Sequence, residues 1–210
     1  MTLSIEGIAC GPIETNAYIV TDEATNEALV IDAPPDSVDA VQARVRERGA
    51  TVRTVVITHG HWDHIADTAA MARAFGAPVL GHQGVVDRLM HPSPGVPVPI
   101  VPTTFDQLID EGDTVPLGSH GFAVLHLPGH DVGHIVLYSE PDRVFLGGDV
   151  LFPNGHGRTD IPGSDQAIMN RTIARLLDLP DDVVVYPGHG ATTTIGQERP
   201  WMTQMAASAS

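Results

Sequence analysis

A chain of 210 residues, 42% apolar and 18% charged, has the size and mix of one large globular domain or two small ones, with enough apolar mass for a real core. Its formal charge is −15, and its eleven basic residues are all arginine, which argues against nucleic acid or an anionic membrane as partner. No apolar run approaches the ~20 residues of a bilayer span, the first six residues lack the basic and apolar parts of a signal peptide, and the single Cys10 fits a reducing, cytoplasmic setting.

In chain order, the pattern predicts short strands over 3–8, 17–21 and 27–31, the last two joined by the polar turn 22–26. Asp36 or Ser37 can cap a helix reaching about Arg48, with Val38, Val41 and Val45 on one face and Gly49 ending it. A β-branched strand over 52–58 follows, then a helix over 63–75 with Ile65, Ala69, Met71, Ala72 and Phe75 inward. A short strand at 78–81 and a short helix at 83–91 lead to 92–103, where five prolines make a stiffened surface loop. Strands return at 114–117, 121–127, 135–139 and 143–146; a helix spans 165–177 and a strand 183–186. Residues 1–201 read as one domain, and the small, polar stretch 202–210 as a short flexible tail.

The strand over 52–58 stops at His59-Gly60-His61-Trp62-Asp63-His64, which sets three histidines and a carboxylate in a strand-to-helix loop. Carboxyl ends of strands are where α/β sheets place ligand sites, and imidazole with carboxylate suits zinc, iron or manganese. His59 and His61 can reach one metal; Asp63 and His64, displaced along the loop, can serve a second. Three later strands end alike, each running through glycine to His130, Asp149 or His189. One catalytic zinc takes about three protein ligands plus water, so seven donors suit two divalent metals, with Asp149 bridging. His82, His91, His120 and His126 follow no such pattern.

Thr58–His64, Pro128-Gly129-His130, Gly147-Gly148-Asp149 and Pro187-Gly188-His189-Gly190 together resemble the metallo-β-lactamase-fold hydrolases over nearly the whole chain. Asn16–Val20 and Val30–Ala33 look like that family's opening strands. Leu151-Phe152, Gly157–Asp160 and Thr192–Glu198 are similar to its glyoxalase II-like (hydroxyacylglutathione hydrolase-like) branch. The resemblance implies an α/β (α+β), four-layer αβ/βα sandwich. It implies one metal on His59, His61 and His130, a second on Asp63, His64 and His189, and Asp149 shared; zinc is the first choice, iron or manganese the alternatives.

The activity it implies is thioester hydrolysis of a small-molecule S-acyl conjugate. Asp63 would orient the attacking hydroxide as well as bind metal, and Arg158 either meets a substrate carboxylate or serves as a structural ion-pair arginine. A mononuclear iron persulfide dioxygenase, a lactonase or other ester hydrolase, and a non-enzymatic binding protein are the rivals. Two places depart from the family pattern: Asp131-Val132-Gly133-His134 stands where Thr-Pro-Gly-Ser is usual, and Asn154-Gly155-His156 precedes Gly157-Arg158. His134 and His156 therefore lie either at the site mouth or on the surface. The chain ends soon after residue 200, so the helical domain that binds glutathione in full-length glyoxalase II is not expected, nor is strict selectivity for the thiol. Oligomeric state is not legible in the sequence.

Overall fold

A computed structural model describes residues 2–208. The amino-terminal half runs β1 (Leu3–Cys10), β2 (Thr15–Asp22), β3 (Glu27–Ile31), α1 (Val38–Arg48), β4 (Thr51–Val56), α2 (Trp62–Ile65), α3 (Thr68–Phe75), β5 (Val79–Gly81), α4 (Val86–Met90) and β6 (Gln107–Leu108). The second half runs β7 (Thr114–Leu117), β8 (His120–His126), β9 (Ile135–Ser139), β10 (Val144–Gly148), β11 (Leu151–Phe152), β12 (Gly155–His156), α5 (Gln166–Leu176), β13 (Val184–Pro187), β14 (Thr193–Thr194) and α6 (Ile195–Ser208). Each half builds one six-stranded sheet, ordered β1-β2-β3-β4-β5-β6 and β14-β13-β10-β9-β8-β7.

Period-2 alternation makes the layers. In β2, Ala17 and Ile19 face the helices, where they join Val41 and Val45 of α1 and Met71 of α3. Tyr18 and Val20 point the other way and meet Phe122, Val124, Ile135 and Leu137 of the second sheet. The outer face of that sheet, with Phe145 and Val185, is covered by Met169 and Ile173 of α5 and Met202 of α6. Three apolar clusters between four layers give the expected αβ/βα sandwich as a single domain. No helix among the described residues is long and apolar enough to cross a membrane.

The two-residue strands β6, β11, β12 and β14 were not foreseen, and two expected elements take another form. The helix foreseen over 63–75 is broken at 66–67 into α2 and α3, because the chain there docks on β3's exit: Ala33 N–H donates to His64 O and Asp67 N–H to Ala33 O, both at 2.9 Å. Where a flexible tail was expected from 202, α6 continues to Ser208 with Met202 fully buried; residues 209–210 lie outside the described residues. Tertiary anchors hold this helix: Glu198 accepts hydrogen bonds from Thr193 Oγ1, Asn154 N and Trp201 Nε1.

Candidate metal centre

All seven expected donors converge at one rim of the sandwich, from the carboxyl ends of β4, β8, β10 and β13. β3 and β4 are parallel neighbours, which puts Asp32, just past β3, beside Thr58. Asp32 adopts φ of 62°, and it accepts from Thr58 N (2.7 Å) and Thr58 Oγ1 (2.9 Å) while contacting His64 Nδ1 at 2.7 Å. Thr58 Oγ1 spends its proton on Asp32, so it accepts from His59 Nδ1 at 3.0 Å. His130 Nδ1 donates to Arg158 O (2.8 Å) and His189 Nδ1 to Ile13 O (3.2 Å). Four rings are thus fixed through Nδ1, leaving Nε2 for the site.

The Nε2 atoms of His59, His64 and His130 and Asp149 Oδ1 are buried without a hydrogen-bond partner. Orphaned buried donors and acceptors are costly, and three imidazole nitrogens beside a carboxylate oxygen fit a cation. His59, His61 and His130 form one group with ligand atoms within 4.8 Å of one another; Asp63, His64 and His189 form a second. Asp149 faces both, with Oδ2 3.4 Å from His130 Nε2 and 3.5 Å from His189 Nε2, and Oδ1 3.4 Å from His64 Nε2. Asp63 Oδ2 lies 3.3 Å from both His64 Nε2 and His189 Nε2 and accepts from Thr15 Oγ1. Glycine is needed at the last turn: a Cβ on Gly188 would strike Asp149 Oδ1 and come within 2.7 Å of His64 Cε1.

Burial and these close neighbours set the charges of the metal-free site. Burial opposes the Asp63 carboxylate, but His189, His64 and the Thr15 hydroxyl bring it down to about 2. Asp149 is likewise held well below the carboxylate range, against burial, by His64, His130 and His189. Burial, His130, His64 and Arg88 push His61 down to about 3. His189 rises to about 9 and His64 rises as well, because flanking carboxylates outweigh burial. Neutral His61 and ionised Asp63 and Asp149 are the forms a cation needs.

Over the donors lies a cavity of about 620 Å³ with Ile13, Trp62, Phe152, Ile161, His156 and Arg158 in its wall. His156 is half-buried there, its Nδ1 donating to Gly157 O. His134 is instead fully buried behind the donors, stacked on His59 at 4.7 Å. Arg158 reaches the rim, its guanidinium forked on Asp160 at 2.8 and 3.0 Å, and exposed. The residues that sequence reasoning missed are Thr15, Asp32, Arg88 and Asp131. Of these, Asp32, closing a buried strand beside the one that ends in the histidine loop, left a local signal, and Asp131 stood out only as a departure from the family pattern.

A second donor group, His82, Asp110 and His126, lies elsewhere. The His82 and His126 rings stack at 4.4 Å and 17°, and His82 Nε2 lies 3.4 Å from Asp110 Oδ1. His82 Nδ1 accepts from Gly84 N and His126 Nε2 donates to Val132 O; the group reads as a structural stack.

The chain is 31% identical over 208 residues to the hydroxyacylglutathione hydrolase GloC of Haemophilus influenzae, covering 94% of this chain and 95% of that protein. The crystal structure of the BLEG-1 B3 metallo-beta-lactamase matches with a TM-score of 0.87 and 32% identity over 95% of this chain and 100% of that one. TTHA1623 in a di-iron-bound form matches at 0.78 and 30% identity, over 92% of this chain and 96% of that one. The family profile of the Metallo-beta-lactamase superfamily matches residues 10–189, which contain every donor described above. With that match and that donor geometry, the chain belongs to the metallo-beta-lactamase superfamily of metallo-hydrolases.

Proposed function

We propose that this chain is a glyoxalase II-like thioesterase that hydrolyses S-acyl conjugates of a small thiol. The observation that carries the reading is two donor groups sharing Asp149 beneath an apolar cavity of about 620 Å³. The name carried by the Haemophilus relative supports it. Two divalent metals bound there, zinc first and iron or manganese as alternatives, would supply a hydroxide near neutral pH and polarise the acyl carbonyl.

The chain's own residues do the rest. Asp63, ionised and fixed by Thr15, orients the attacking oxygen towards the acyl carbon. Ile13, Trp62, Phe152 and Ile161 exclude water around the substrate. The C–S bond breaks with the electron pair leaving on sulfur, and a thiolate needs no strong general acid. Arg158 is the cation at the rim, and a substrate carboxylate would displace Asp160 from it. The substrate is a small molecule rather than nucleic acid or membrane, in keeping with the charge of −15, and the single cysteine suits a cytoplasmic setting.

The test compares kcat/KM for S-lactoylglutathione, the same acyl group on other small thiols, a lactone, a β-lactam and a phosphodiester. Thioesters should lead. A lead of tenfold or more by a lactone or phosphodiester, about 1.4 kcal/mol of transition-state stabilisation, overturns the thioesterase assignment and leaves the metallo-hydrolase family intact.

A further inference from the structure

His61 stands apart from the other donor histidines. Four rings are fixed by an oxygen at Nδ1, but the oxygen facing His61 belongs to Asp131, and it lies 3.9 Å from Nε2. Nδ1 is therefore the nitrogen His61 offers to the trio with His59 and His130.

Asp131 follows His130 directly and is fully buried. A buried carboxylate must find partners. Its Oδ1 accepts from Gly133 N at 2.7 Å, and its Oδ2 forms an ion pair with Arg88 of α4. Arg88 reaches Asp131 by crossing the histidine loop at Gly60, where a Cβ would lie 2.9 Å from Nη1 and 3.0 Å from Cδ. On the far side, Gly84 and Gly133 pack backbone to backbone, a Cβ on Gly133 falling 2.9 Å from Gly84 C. One ion pair thus clamps three segments: the histidine loop, the 130–134 loop, and the turn leading into α4. The threonine usual in this family at position 131 could not pair with Arg88 or place a charge beside His61.

We propose that Asp131, anchored by Arg88, is a positioning residue for His61 and sets how tightly the first donor trio holds its metal. An outer-shell carboxylate fixes the ring's orientation and makes it a better donor, and losing such a partner typically weakens metal binding about ten- to hundredfold. Arg88 holds that carboxylate at one distance from the ring. The inference concerns metal affinity alone and stands whatever the substrate.

The test titrates the metal-free full chain with zinc against a competing chelator and resolves the two binding steps. Asp131→Asn keeps the shape and the Gly133 contact but removes the charge. It should weaken one step about ten- to hundredfold and leave the other within about twofold. In a His61→Ala background the same substitution should change neither step further. Arg88→Lys keeps a cation without the guanidinium and should show a smaller loss on the same step, which serves if Asp131→Asn does not fold. Unchanged affinity in both variants, or equal weakening of both steps in parallel with a lower melting temperature of the metal-free protein, overturns the proposal and leaves the pair a purely structural tie.

Discussion

The ring of His134 accepts a 3.0 Å hydrogen bond at Nε2 from the backbone N–H of Asp149, the carboxylate that faces both donor groups. His134 thus holds the main chain of Asp149 from behind the donor groups. Asp149→Ala should abolish activity and lower metal content in both groups, since His64, His130 and His189 all face its oxygens. His134→Ala leaves the Asp149 N–H unpaired in a buried space, a cost of about 1–3 kcal/mol in stability, and should retain measurable activity. Metal analysis with melting curves separates the two. Equal losses of activity with metal retained in both would mean that Asp149 is not shared.

Metal content is the second expectation. Chain prepared with metal in excess should hold about two ions, lose activity in chelator and regain it on replacement. One iron per chain together with oxygen uptake on a persulfide would instead select the dioxygenase reading.

The metal-free protein should respond to pH on both sides of neutrality. Burial first, then neighbouring positive charge, holds His59, His61 and His134 below the ordinary imidazole range, His61 at about 3. An unfolded imidazole titrates near ~6.5. As pH falls from there, the unfolded chain takes up protons that the native state refuses, so stability declines. His189, raised to about 9, and His64, also raised, contribute stability that is complete below ~6.5 and is lost as pH climbs towards about 9. Urea midpoints in chelator should therefore peak around ~6–7. A midpoint rising steadily from pH 5 to 9 would contradict this.

Arg158 gives a sharper test of substrate shape. Because its guanidinium is already forked on Asp160, Arg158→Ala should raise KM for acyl groups or thiols bearing a carboxylate and leave uncharged thioesters within about twofold. Asp160→Asn should lower KM for the same acidic substrates. Identical effects on charged and uncharged substrates would remove Arg158 from the binding site and leave it the structural arginine.

Much of this was legible because its signals are local. Apolar runs ending in a donor, three of them through glycine, marked four strand ends, and the strands at 27–31, 114–117 and 135–139 fall at the predicted bounds. The rest depends on pairings with no local trace. Arg88 and Asp131 meet only once β5's exit packs against the 130–134 loop. His134 carries no periodicity that would separate a buried histidine from an exposed one. The helix from Ile195 to Ser208 contains Pro200 and a run of small residues, so its composition resembles a tail until Glu198 and Met202 are seen docked.

The shared rim of the two sheets has a consequence for how the site is assembled. His59, His61, Asp63 and His64 come from the first sheet; His130, Asp149 and His189 come from the second. Neither half presents a finished trio. A chain that has built only its first sheet therefore cannot close either donor group until the strands bearing His130, Asp149 and His189 have packed against it. Tight loading of both ions thus waits on the packing of the two sheets against each other.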